Sequence, residues 1–137
     1  MEQSLDQYST THVVGDSSDI LQAPSESKGA IWKMDISPRQ LDINIVAIPA
    51  GEKISWHDGP ELDVFIHILE GSGEIFIGAD AEKAHAQRTL LTPGVMVNIP
   101  RRAYREIVAG DMPLRYLNIH TKKPGLGIKF PARDGEV

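Results

Sequence analysis

The chain has 137 residues, 41% of them hydrophobic and 24% charged, with a formal net charge of -5 and no cysteine. That length suits one domain around one core, and the composition reads as an ordinary soluble globular protein, neither disordered nor membrane-embedded. The acidic balance, with Arg101, Arg102 and Arg105 as a merely local basic group, argues against a nucleic-acid partner, and the lack of thiols excludes a disulfide scaffold and thiolate ligands.

In chain order, Met1 to Thr10 carries Glu2 and Asp6 where a secretory signal needs a basic start and an apolar stretch, so a cytoplasmic location is expected. Residues 1–28 are rich in Ser, Asp, Gln and Thr, with Val13, Val14, Ile20 and Leu21 as apolar anchors. They read as a polar arm that is loose at its tip or lies on the body or on a second subunit. A body over 29–122 and a C-terminal extension over 123–137 complete the expected organisation.

Within the body, short stretches rich in Ile and Val alternate with turn residues. Candidate strands are Ile31 to Ile36, Leu41 to Ile48, Val64 to Leu69, Glu74 to Ile77, Val95 to Ile99 and Leu114 to His120. Pro49 to Gly51, Asp58 to Pro60, Gly71 to Gly73, Pro93 to Gly94 and Gly110 to Pro113 separate them. Asp80 to Gln87 reads as a solvated loop with at most one helical turn. The longest apolar run, Ile43 to Ala50, is broken by Asn44 and Pro49 and is too short to span a bilayer, so no membrane role is expected. The fold class is all-β, a sandwich or barrel.

The segment from Gly51 to Gly78, GEKISWHDGPELDVFIHILEGSGEIFIG, places Gly51, His57 and Gly71 at telling intervals. It resembles the first signature of the cupin superfamily: Gly, five residues, His, one residue, His, three or four residues, Glu, six residues, Gly. Gly59 stands at the second His position and Val64 at the Glu position. Gly94 and Pro100 match the start of the second signature, whose later Gly, His and Asn are replaced by Arg102, Arg105 and Ala109. The resemblance covers about residues 41 to 120. It implies a single cupin barrel, a double-stranded β-helix of jelly-roll type with an N-terminal arm, and a degenerate metal site.

An open metal site wants three or four convergent donors. His57, Gly59, Val64 and Arg105 offer one imidazole, nothing, two methyls and a cation that repels metal, so no metal and no other cofactor is expected. Asp63, one residue short of Val64, is the alternative acid, still leaving the set incomplete. Strand alternation puts His67 on the face opposite Val64, Ile66 and Ile68.

His57 is a candidate general base or ligand-binding imidazole, since imidazole exchanges protons near neutrality, or else a family remnant bonded to a neighbour. Arg105 is a candidate anion receptor, or half of a structural ion pair with Glu74, Glu61 or Asp63. Trp56, Phe65 and Tyr104 read as an outward aromatic row, buried across a homodimer contact. Tyr116, Asn118 and His120 share one face of the last strand and Arg115, Leu117 and Ile119 the other; the pattern leaves open which faces inward.

The leading functional expectation is a metal-independent cupin binding a small anionic or sugar-like molecule. His57, Arg105, Ile66 and Ile68 would line its site, and His57 and Arg105 would catalyse proton transfer if it is an isomerase, epimerase or lyase. A metal-dependent oxygenase or isomerase with unconventional ligands and a noncatalytic sensor or assembly module are the alternatives.

Overall fold

The computed structural model describes residues 12–122; the expected C-terminal extension and the tip of the arm lie outside the described residues. The described chain is a short helix α1 (Ser17–Ile20) followed by nine strands: β1 (Gly29–Lys33), β2 (Leu41–Ile48), β3 (Lys53–Asp58), β4 (Val64–Glu70), β5 (Gly73–Gly78), β6 (Gln87–Leu91), β7 (Met96–Ile99), β8 (Tyr104–Ala109) and β9 (Leu114–Thr121). One 3-10 turn, Lys83–His85, interrupts the loop between β5 and β6.

The strands form two antiparallel sheets, β1-β2-β9-β4-β7 and β3-β8-β5-β6. Four short connections, β2 to β3, β4 to β5, β6 to β7 and β8 to β9, each cross from the first sheet to the second or back. The strands that these connections join therefore lie in opposite layers, and all four connections gather at one end. There they bond one another: Gly51 N–H donates to the Gly110 carbonyl (2.9 Å) and Gly110 N–H to that of Ser72 (2.8 Å). Gly71 has a φ of 84°, and a Cβ built on it would overlap the Pro113 carbonyl oxygen, so this closure requires glycine.

Alternation along the strands fills the space between the layers. Val64, Ile66 and Ile68 of β4 are buried beside Leu114 and Tyr116 of β9, Ile75 of β5 and Ile107 of β8. In β9 the open question of facing is settled by register. Tyr116 lies opposite Val46 and Ile68, and Asn118 opposite Asn44 and Ile66, so Tyr116, Asn118 and His120 face the interior.

The outer face of the first sheet is also buried in part, at Ile45, Ala47 and Arg115. Arg115, 2% exposed, donates through Nη1 to the Leu21 carbonyl (2.8 Å) and through Nη2 to that of Pro24 (2.7 Å), with Glu70 at 3.7 Å. Gly15 meanwhile lies against the Trp32 indole, so close that a Cβ would come within 2.9 Å of the ring. The arm is thus strapped across the sheet from residue 15 to residue 24. Asp16 begins α1 by accepting from the Ser18 N–H (2.9 Å).

The expected bounds of β2 coincide with the observed ones, and those of β4, β5, β7 and β9 agree within a residue. The first strand begins at Gly29 and ends at Lys33, earlier than expected at both ends. β3, β6 and β8 were not expected. Their sequences, KISWHD, QRTLL and YREIVA, carry charged or polar groups at interior or edge positions, and these hide the alternation.

Hydrogen bonds from a charged donor contribute about 1.5–3 kcal/mol each. Replacing Arg115 with Met should therefore lower stability by about 3 kcal/mol in urea denaturation and accelerate proteolysis between residues 12 and 28.

Candidate functional site

The end of the sandwich opposite the four connections carries the polar interior. β3 and β8 pair Ile54 with Ile107 and then His57 with Arg105, so β3 has one extra residue in this interval. This bulge reverses the alternation. His57, an odd number of residues from inward Ile54, is brought to the same face, and Trp56 is left outside.

The outer face supports the bulge. The Trp56 N–H donates to Glu106 Oε1 (3.1 Å), and Lys83 Nζ donates to Glu106 Oε2 (2.6 Å) while sitting 4.6 Å from the Phe76 ring centroid. Burial pushes the Glu106 carboxyl up, but the hydrogen bond and charge of Lys83, the charge of Lys53 and the Trp56 N–H outweigh it, and its pKa is lowered. The Trp56 ring stacks on Tyr104 with centroids 5.6 Å apart, and its Nε1 donates to the Ala81 carbonyl (2.9 Å).

Inside, half-buried His57 has its Nδ1 2.7 Å from the Ser55 carbonyl. A carbonyl oxygen only accepts, so Nδ1 carries a proton and Nε2 is the ring nitrogen left to exchange one.

Arg105 is 6% exposed. Its Nε donates to the Ala103 carbonyl (2.9 Å), which also accepts from the Gly59 N–H (3.1 Å). The guanidinium lies over Gly59, where a Cβ would overlap Cζ and Nη2. Nη2 is buried and finds no hydrogen-bond partner among the described residues. Burial lowers the Arg105 pKa, and Tyr116 and Asp58 pull it back. Across the interior, burial raises the pKa of the Tyr116 phenol far above its ordinary value despite the opposing charge of Arg105, so the hydroxyl stays neutral and able to donate.

The carboxylates considered as partners for Arg105 are engaged elsewhere. Glu74 pairs with Arg88 and Glu61 with Arg102. Asp63 accepts from the Arg101 N–H (2.9 Å) and from Asn98 Nδ2 (3.4 Å). Asn98 itself lies opposite Phe65, on the outer face.

Ile66 and Ile68 face inward as expected, at 0% and 1% exposure, packed in the core. Trp56, Phe65 and Tyr104 do not form one row either: Trp56 and Tyr104 lie on the outside of the second sheet, whereas Phe65, opposite Ile119, lies on the outside of the first. The assignment of β3 and β4 to different sheets separates them.

Reading the sequence missed Asn44 and Glu106. Asn44 Oδ1 is buried beside Asn118 and has no hydrogen-bond partner among the described residues; the available signal was a polar residue interrupting an apolar run. Glu106 gave no signal, because its partners come from β3 and the loop after β5.

A scan of protein-family models and a search of curated proteins find no match. Solved structures do match. BH2720 from Bacillus halodurans superposes with a TM-score of 0.66 at 20% identity, covering 87% of each chain. The cupin domain of Cnp3 from Schizosaccharomyces pombe gives a TM-score of 0.55 at 17% identity over 66% of this chain and 62% of that one. The chain has the cupin fold. DMSP lyase DddQ from Ruegeria pomeroyi shares it, with a TM-score of 0.52 at 22% identity over 61% of this chain and 39% of that one. Cupin-fold proteins thus include both an enzyme and a domain named only for its fold.

The residues here do not fit the metal that the cupin signature holds. The guanidinium fills the space in which a side chain at position 59 would stand, Val64 is core, and Asp63 is turned to the loop at residue 101. Among the described residues no three His, Asp or Glu side chains group closely enough to share an ion. Elemental analysis of protein purified without chelator should give well under one Fe, Mn, Ni or Zn per chain. One metal per chain that disappears in His57→Ala would overturn this.

Proposed function

We propose that the chain is a metal-independent cupin that binds a small anionic molecule at the polar end of the sandwich. Arg105 is the anion receptor and His57 the adjoining acid or base. One observation carries this reading: a guanidinium with 6% exposure whose Nη2 has no partner among the described residues. Burying a charged donor without an acceptor is unfavourable, and an arriving carboxylate or phosphate would supply that acceptor.

Where a carbon acid is bound, His57 would exchange a proton at Nε2 and Arg105 would stabilise the developing enolate, chemistry of the isomerase, epimerase or lyase type. The lyase among the similar structures supports the possibility by fold analogy alone. Titration with acetate, pyruvate and inorganic phosphate checks the binding step. Arg105→Met should weaken the tightest of these by about 1.5–3 kcal/mol, on the order of ten- to a hundred-fold in Kd. Unchanged binding would assign Arg105 a structural role.

We propose further that the protein acts in the cytoplasm as a homodimer. The outer face of the first sheet, with half-buried Phe65, Leu117 and Ile119 and exposed Met96, is the surface offered to a second copy. Among the described residues no helix is long and apolar enough to cross a membrane. Light scattering at micromolar concentration should give twice the chain mass of 15.1 kDa, and a monomer mass would reject the pairing.

A further inference from the structure

Two hydrogen bonds at the bulge meet on one peptide unit. The Trp56 N–H, which donates to Glu106 Oε1 (3.1 Å), and the Ser55 carbonyl, which accepts from His57 Nδ1 (2.7 Å), are the two sides of the Ser55–Trp56 peptide. Lys83 Nζ donates to the other oxygen of the same carboxylate (2.6 Å). A continuous chain of hydrogen bonds therefore crosses the second sheet, from Lys83 and Glu106 outside, through the peptide, to the His57 ring inside. The bulge creates it. Between the pairs Ile54 with Ile107 and His57 with Arg105, Ser55 and Trp56 of β3 share one residue of β8, Glu106, and its side chain takes the peptide N–H.

The N–H and C=O of one peptide are joined by a bond of partial double-bond character, so a charge on one side polarises the other. Glu106 is 4% exposed. Against the opposition of burial, Lys83, then Lys53 and the Trp56 N–H, hold its carboxyl in the charged form. A carboxylate accepting from the N–H shifts electron density toward the Ser55 oxygen, which then accepts more strongly from Nδ1.

We infer that Glu106 is a positioning residue for His57, acting through the Ser55–Trp56 peptide to keep a proton on Nδ1 and so leave Nε2 as the exchanging nitrogen. This deepens the proposed function and rests on His57 being its acid or base. The indirect route has a chemical reason. A carboxylate standing inside against Nδ1 would also meet Arg105, which lies opposite His57, and would occupy the anion receptor. Glu106 points outward from the strand on which Arg105 points inward, so its charge reaches the ring while the guanidinium is left to a ligand. Lys83, its side chain 42% exposed, ends the chain at the surface and sets how much of the carboxylate's charge acts on the peptide.

The test is NMR of the His57 ring in the full chain without ligand, at about pH 9, above the ordinary titration range of imidazole. In the wild type the form with the proton on Nδ1 should dominate. Glu106→Gln keeps the shape and an oxygen for the Trp56 N–H but removes the charge, which makes such a bond roughly twice as strong. The ratio of the Nδ1-protonated to the Nε2-protonated form should fall about two- to ten-fold, with the Trp56 amide proton and the Nδ1 proton moving upfield. Lys83→Met frees the carboxylate from a competing cation and should move both protons downfield. A clamp that only holds the bulge in shape would be loosened by either substitution and would move His57 in the same direction in both. Movement in the same direction overturns the inference, as does a ring that stays unchanged while the Trp56 amide proton moves, or a wild-type ring protonated mainly on Nε2. If Glu106→Gln does not fold, Lys83→Met decides alone, and an upfield or unmoved Nδ1 proton there overturns the inference. Because no ligand enters the measurement, failure of acetate, pyruvate and phosphate to bind at Arg105 would remove the anion site and leave this relay standing, whereas an indifferent ring removes the relay and leaves the anion site.

Discussion

A guanidinium enclosed between two β-sheets constrains everything around it. Arg105 cannot shed its charge at any ordinary pH, so its surroundings must provide room and acceptors. Gly59 provides the room by having no side chain, and the Ala103 carbonyl provides an acceptor for Nε. That carbonyl is aimed by the turn before β8, in which Arg102 takes a φ of 66°, a left-handed conformation costing a non-glycine residue about 1–2 kcal/mol. The turn is held by the Arg102 N–H to the Pro60 carbonyl (2.8 Å) and the Ala103 N–H to that of Pro100 (3.1 Å). Loop 59–60 and turn 100–103 are therefore clasped together, and the clasp fixes where the cation stands.

The interior divides along the strand axis. Toward the four connections it is apolar: Ile48, Ile68, Leu91, Ala109 and Leu114 pack without polar atoms. Toward the other end lie Asn44, His57, Arg105 and Asn118. The apolar half stabilises the sandwich by removing surface from water, so the polar half can hold unpaired groups that would be unfavourable in a smaller core. The same enclosure lowers the local dielectric, which strengthens attraction between Arg105 and any anion entering. Glu106 and Lys83 act on this site from the other side of the sheet, since the bulge they support is what turns His57 inward.

The fold was legible because most strands of the first sheet alternate clearly. In VFIHIL the inward Val64, Ile66 and Ile68 stand apart from Phe65 and His67, and glycines mark the turns. The second sheet was harder to read. β8 carries Arg105 and Glu106 side by side, both buried, one on each face, and a pair of adjacent charges reads as solvated surface. In β3 the bulge breaks the period on which any reading of faces depends. The aromatic row failed for the related reason that strand alternation says nothing about which sheet a strand joins.

Residue type and spacing alone fixed the all-β class, the turn positions and the inward face of β4. The three-dimensional packing was needed to place the Arg105 guanidinium over Gly59 with Nη2 unpaired among the described residues, to set Asn44 opposite Asn118, and to strap the arm to the outer sheet through Arg115. Each of these joins residues far apart in the chain, and a hydrogen bond between such residues leaves no local period to read. Whether a buried charge finds a partner is a property of the space around it, which no spacing along the chain records.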